Sequence, residues 1–151
     1  MPQNQANSKR IRRGAAAVEL AVSLPVLVLL LFGTIESCTM IFLQQSLEIA
    51  AYESARVAIL PKVSASEVEA TANEILNTRR VHGGRVTIRL LQYSEEQGKW
   101  ASLDVPSFQD APYGTFIKVE VAAPCNSNAV FNLQFFGNKE LTGSAAFMKE
   151  F

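Results

Sequence analysis

Residues that perform chemistry are scarce in this chain. There is one histidine, one tryptophan and two cysteines in 151 residues. His82 stands beside Gly83 and Gly84, and without a second histidine or a cysteine pair it cannot complete a metal site, so a helix-terminal role is expected. Cys38 and Cys125 are too few for a disulfide framework; an oxidising exterior permits one bridge between them, and a buried free thiol is the alternative. No Gly-rich phosphate loop, nucleophile elbow or H-E-x-x-H sequence occurs, so no enzyme, cofactor or small-molecule substrate is expected. Glu95 and Glu96 fall in an expected turn, where solvated charge is the plain reading. Excess charge of either sign is also missing: Lys+Arg and Asp+Glu are 14 each. That balance excludes a global basic field for nucleic acid and an acidic tail. Internal repeats and low-complexity tracts are absent, and the length suffices for one small globular domain beside whatever the N-terminal segment does.

What the chain does have is the stretch Arg12 to Phe32, RRGAAAVELAVSLPVLVLLLF. As a helix, Ala15 to Ile35 would be about 31 Å long at about 1.5 Å per residue, enough to cross a hydrocarbon core about 30 Å thick. Lys9, Arg10, Arg12 and Arg13 precede it with no acid among them, which keeps the N-terminal flank in the cytoplasm and sends the rest outside. Glu19 is the single acid in the run and costs about 2.5–3.5 kcal/mol if ionised at the bilayer centre, so it needs a partner or a purpose. Pro25 lacks an N–H; it is either a tolerated membrane proline or a functional kink. Ile35-Glu36-Ser37-Cys38 loosely resembles a lipoprotein signal, but Glu36 is wrong for that box and the apolar run exceeds a signal-peptide core.

A basic leader, Gly14, the residues Ala15-Ala16-Ala17-Val18, Glu19 and then an apolar helix resemble the processing signal of type IV pilin-like proteins. The continuation GAAAVELAVSLPVLVLLLFGTIE is most similar to TadE-like pseudopilins of the tight-adherence (Tad/Flp) pilus. A second block, Leu47-Glu48-Ile49-Ala50-Ala51-Tyr52-Glu53-Ser54-Ala55-Arg56, resembles the small-residue segment that follows the membrane helix in that family, with Ser54 in place of a glycine. The resemblance covers about the first 60 residues. It implies cleavage of Gly14-Ala15 by a prepilin peptidase, which leaves Glu19 as the fifth mature residue, and pilin or pseudopilin subunits as partners at a bacterial inner membrane. With the length of the apolar run and the helical periodicity beyond it, the expected organisation is a leader at 1–14, a transmembrane helix at 15–35, its extramembrane continuation at 36–60 and a small globular domain at 61–151. A single-pass anchored binding or sensor domain is the alternative, and a lipoprotein lipidated on Cys38 a third.

Elsewhere, periodicity and turn chemistry predict an α+β fold. Residues Met1 to Arg13 are polar and unpatterned, and disorder is expected. From Glu36 onward, Leu43, Leu47, Ala50, Ala51, Ser54, Ala55 and Ala58 recur at spacings of three and four, one face of a helix ending at Pro61 that lets another backbone approach closely. Ser64-Ala65-Ser66-Glu67 has capping-box spacing. The second helix it opens buries Val68, Ala72, Ile75 and Leu76 and ends at His82-Gly83-Gly84. Strands of an antiparallel sheet of three to four follow: Val86, Ile88 and Leu90 alternate with polar residues, a weak strand spans Lys99 to Leu103 after a turn at Glu95 to Gly98, and Ile117, Val119 and Val121 alternate within Phe116 to Ala122. A loop holding Pro106 and Pro112 separates the last two. Val130 to Phe136 is ambiguous, with Phe131, Phe135 and Phe136 expected in the core, and Glu140 to Met148 is a final strand.

Overall fold

The computed structural model describes residues 3–94, 98–103, 110–131 and 138–150, with side chains from Ala15 onward. Six elements follow in order: helices α1 (Gln3–Ala58) and α2 (Ala65–Thr78), then strands β1 (Arg85–Ser94), β2 (Lys99–Ser102), β3 (Phe116–Pro124) and β4 (Glu140–Met148). Two compact units result, Met1–Cys38 and Thr39–Phe151, and α1 contributes to both.

In the first unit α1 begins at Gln3, not after Arg13. The segment Met1 to Arg13, expected to be disordered, is rich in Gln, Ala, Lys and Arg, good helix formers, and extending an existing helix avoids the cost of nucleation. The side chains of Lys9, Arg10, Arg12, Arg13 and Gly14 lie outside the described residues.

The second unit is the α+β domain. Its sheet has the order β2-β1-β3-β4, and all three pairings are antiparallel. One face carries three apolar rows across β1, β3 and β4: Val86–Val121–Gly143, Ile88–Val119–Ala145 and Leu90–Ile117–Phe147. These residues, with Leu43, Leu47, Ala50, Ala51, Ala55 and Ala58 of α1 and Val68, Ala72 and Leu76 of α2, form the core. The face predicted for α1 is therefore the buried one, and Leu47, Ala50, Ala51, Ser54 and Ala55 are wholly inaccessible. Its small side chains allow the close approach that the sequence implies. A Cβ on Gly143 would overlap the backbone of Leu47 and Glu48, lying only 2.6 Å from the Leu47 carbonyl oxygen. Beside this contact Gln44 Nε2 donates to the Thr142 carbonyl at 3.1 Å, and the Tyr52 and Phe147 rings meet edge to face at 5.3 Å.

The Ser64–Glu67 capping box is present: the Glu67 amide donates to Ser64 Oγ, and the Ser64 amide donates to Glu67 Oε2 at 2.7 Å. These bonds hold the Glu67 carboxyl below its usual range, the Ser64 backbone donor being the largest cause. The helix stops at Thr78, earlier than His82-Gly83-Gly84, because the chain turns through Arg80 at φ 56°. His82 instead has its backbone bracketed by Asn128, whose Oδ1 accepts from the His82 amide at 2.8 Å and whose Nδ2 donates to the His82 carbonyl at 2.9 Å.

β2 closes a hairpin with β1 and β4 spans the predicted range, while β3 runs two residues further than expected, to Pro124. Phe131 is exposed, contrary to the expected core position, because among the described residues no strand or helix carries it inward. Phe135, Phe136, Glu95, Glu96 and Pro106 lie outside the described residues. On the outer sheet face Arg89 and Lys118 are register partners. Glu120 separates these like charges, accepting from Lys118 Nζ at 2.8 Å and Arg89 Nε at 3.3 Å. The Lys118 hydrogen bond, opposed by partial burial, holds the Glu120 carboxyl below its ordinary value.

Gly143→Ala should destabilise the second unit by about 1–3 kcal/mol, as expected of overpacking, read by denaturant titration of Trp100 fluorescence, whereas Ser144→Ala on the outer face should stay within about 0.5 kcal/mol. Because the Glu120 pKa is depressed on folding, its contribution is present above the ordinary carboxylate pKa of about 4.3 and is lost as pH falls through the lowered folded value. Glu120→Gln should therefore cost no more than about 1 kcal/mol near pH 7, since its partners are partly solvated, and should flatten the acid limb of the stability profile.

Candidate functional site

The residues with a predicted role cluster on α1 within the first unit. From Ala15 to Leu31 every side chain is exposed, including Val22 at 70% and Leu29 at 64%. A helix apolar all round and uncovered by its own chain cannot be a stripe facing a protein core; it belongs in hydrocarbon or against other helices. Among the described residues this is the one helix long and apolar enough to cross a membrane.

Its polar groups are closed off locally. Ser23 Oγ donates to the Glu19 carbonyl at 2.8 Å, Thr34 Oγ1 to the Leu30 carbonyl at 2.7 Å and Ser37 Oγ to the Gly33 carbonyl at 2.8 Å. Each hydroxyl thus finds its acceptor one turn back on the same helix, as required where water is absent. Helical structure continues on both sides of Pro25; the missing amide leaves the Ala21 carbonyl without its i+4 donor.

The carboxylate of Glu19 is the exception to this closure. It belongs to a shallow hollow of about 530 Å³ lined by Val18, Glu19, Val22, Ser23, Val26 and Leu27. These positions form two neighbouring rows, Val18–Val22–Val26 and Glu19–Ser23–Leu27, each with its residues about one turn apart, and between them lies the groove into which a ridge of another helix packs. Ala15 and Glu19 lie one turn apart on this helix, and Pro25 lies beyond them along the same unit. Chemically the site can receive an apolar helix and one cationic group; among the described residues no group of His, Cys, Asp and Glu is placed to hold a metal ion.

Cys38 is exposed and Cys125 buried, and each is a free thiol. Burial pushes the Cys125 thiol up, which leaves it protonated and inert. Glu36 is 3% exposed, a burial that the amphipathic pattern does not announce. Gly143 was also missed, although an isolated glycine inside a strand pattern is the usual mark of a close backbone approach.

The small-residue block Leu47 to Arg56 has a different task from the helix that precedes it: Leu47, Ala50, Ala51, Ser54 and Ala55 line the domain core, while Glu48, Ile49, Tyr52 and Arg56 remain exposed. No curated protein and no solved structure matches the chain. A family model of TadE-like proteins matches residues 14–56, which take in Gly14, the whole exposed apolar stretch, Glu19 and the small-residue block: over this N-terminal segment the chain is similar to TadE-like proteins.

Proposed function

We propose that this chain is a pseudopilin or minor pilin-like structural subunit of a Tad-type pilus. A prepilin peptidase cuts it after Gly14, and it packs through its N-terminal helix against other pilin or pseudopilin subunits in a bacterial inner membrane. The observation that carries this reading is the coincidence of the TadE-like match, which begins at Gly14, with an exposed apolar helix bearing the single carboxylate Glu19. In this reading residues 1–14 are the leader, 15–35 span the membrane, 36–60 continue the helix beyond it and 61–151 are the outer domain. Lys9, Arg10, Arg12 and Arg13 hold the leader in the cytoplasm.

Cleavage would give Glu19 its partner. Cutting before Ala15 creates an α-amine that is cationic near neutral pH, about one helical turn from the carboxylate and at the same depth. Within one helix the backbone dictates their separation, but between packed helices the carboxylate of one subunit can meet the amine of the next. Pairing offsets the desolvation of both charges, and a slipped helix would leave one unpaired in hydrocarbon. Glu19 thereby fixes the axial register.

In cells carrying the pilus machinery, mass spectrometry of the membrane-extracted protein should find a chain that begins at Ala15, and Gly14→Leu should retain the leader. An intact leader on the wild-type chain would favour a plain anchor. Glu19→Ala should keep cleavage and membrane insertion yet lose co-purification with pilus subunits, and Glu19→Asp should retain part of it. Normal piliation by the Ala variant would sink the pairing mechanism.

A further inference from the structure

The sheet of the second unit has two edges, β2 and β4, and neither carries a further strand among the described residues. Backbone parity fixes which groups stand open on each. At β4 the ladder to β3 uses odd residues, since Cys125 donates to the Lys139 carbonyl and Lys149 to the Thr115 carbonyl, each at 2.9 Å. The amides and carbonyls of Thr142, Ser144 and Ala146 therefore face outward; of these, the Thr142 carbonyl accepts from Gln44. At β2 the Leu103 amide donates to the Leu90 carbonyl at 2.9 Å, so the odd residues face β1 and Trp100 and Ser102 stand open. Protein sheets usually guard such edges with charge, proline or a bulge, yet β4 carries no charged residue between Glu140 and its end at Met148.

A groove of about 560 Å³ runs along this edge, walled by Gln45, Glu48, Ile49, Tyr52 and Glu53 of α1 and floored by Thr142, Ser144 and Ala145. Its wall is apolar at Ile49 and Tyr52 and acidic at Glu48 and Glu53. Glu48 accepts a hydrogen bond from Gln44 at 2.9 Å, and Glu53 has one long ion pair, to Arg56 at 3.9 Å. Exposed main-chain groups beside such a wall favour an added strand over a helix or a small molecule.

We propose that the groove receives strand β2 of a second copy of this chain, extending the sheet head to tail. Three matches carry the assignment. Every neighbouring pair in the sheet is antiparallel, so β2 and β4 run in opposite directions, and a translated copy presents its β2 antiparallel to β4. The open backbone groups on both edges belong to residues whose side chains point to the outer face. Pairing Trp100 with Ser144 and Ser102 with Thr142 therefore keeps the two inner faces continuous. On that inner face Lys99 then falls opposite Ala145, beside Glu48 and Glu53, and among the described residues Lys99 has no ion pair. Two β4 edges meeting each other would instead oppose two acidic walls, which charge repulsion disfavours. Because the two contacting edges differ, each copy leaves one edge free for the next, and the contact is head to tail.

This contact uses neither the cleavage nor Glu19, so it is independent of the helix pairing proposed above. The test uses the full chain in membranes, with Cys38→Ser to remove the exposed thiol. A chain with Thr142→Cys and a chain with Ser102→Cys, co-expressed and oxidised, should give a mixed disulfide dimer. Both substitutions in one chain should give a ladder of multimers, with or without Glu19→Ala. Ser144→Pro removes an open amide and leaves the β3 ladder intact, and should lower the cross-linked fraction about tenfold. Glu48→Lys and Lys99→Glu should each weaken the ladder and together restore it. A mixed dimer no stronger than that of Thr142→Cys with Thr87→Cys, a dimer of Thr142→Cys chains alone, disulfide capture of a different protein by the Thr142→Cys chain, or failure of the charge swap to restore the ladder would each overturn the assignment.

Discussion

The second unit depends on one close approach, where the backbone of α1 at Leu47 and Glu48 lies against Gly143 of β4 with no side chain between them. Along β4 the inward residues grow from Gly143 through Ala145 to Phe147. The helix touches the strand backbone at the glycine and meets the phenylalanine through the Tyr52 ring, so the size gradient acts as a wedge that sets where helix and strand converge. Small residues on both sides are needed: a leucine at Ala50 or Ala51 would lift the helix as surely as a side chain at Gly143. The Gln44–Thr142 hydrogen bond fixes the same contact laterally.

One helix serves two environments with different rules. From Ala15 to Leu31 it offers apolar side chains in every direction and returns its hydroxyl donors to its own backbone. From Met40 to Ala58 it becomes amphipathic, buries its small residues and leaves Glu48, Tyr52 and Arg56 exposed. The first pattern suits a medium that cannot accept hydrogen bonds; the second suits water on one side and a sheet on the other. Within the apolar stretch only Glu19 breaks its own rule, which makes it informative.

On the sheet, the even number of strands has a geometric consequence. Each antiparallel pairing reverses chain direction and exchanges which residue parity faces the next strand, so after four strands both edges offer backbone groups of outward-pointing residues. A three- or five-stranded sheet of the same kind would not have matching edges. The outer face is also where aromatic residues gather: Trp100 meets Phe116 at 4.9 Å and Tyr93 at 5.3 Å. These rings stiffen the β1–β2 hairpin.

Local signals determined much of this protein. The apolar run, the single acid, the capping box at Ser64 and Glu67, the alternation at Val86 to Leu90 and Ile117 to Val121, and the buried face of α1 all follow from spacing, because each depends on periodicity within one element. The helicity of residues 3–13 was legible in composition but obscured by their polarity, and the end of α2 was displaced because the Gly83-Gly84 signal belonged to the connection after the helix. Only the tertiary structure decided what that small-residue face packs against, that Gly143 is the point of contact, that Glu120 separates Arg89 from Lys118, and which strands form the edges of the sheet. Those facts join residues distant in the chain. Strand order and register, which set them, leave no trace in the period of any single segment.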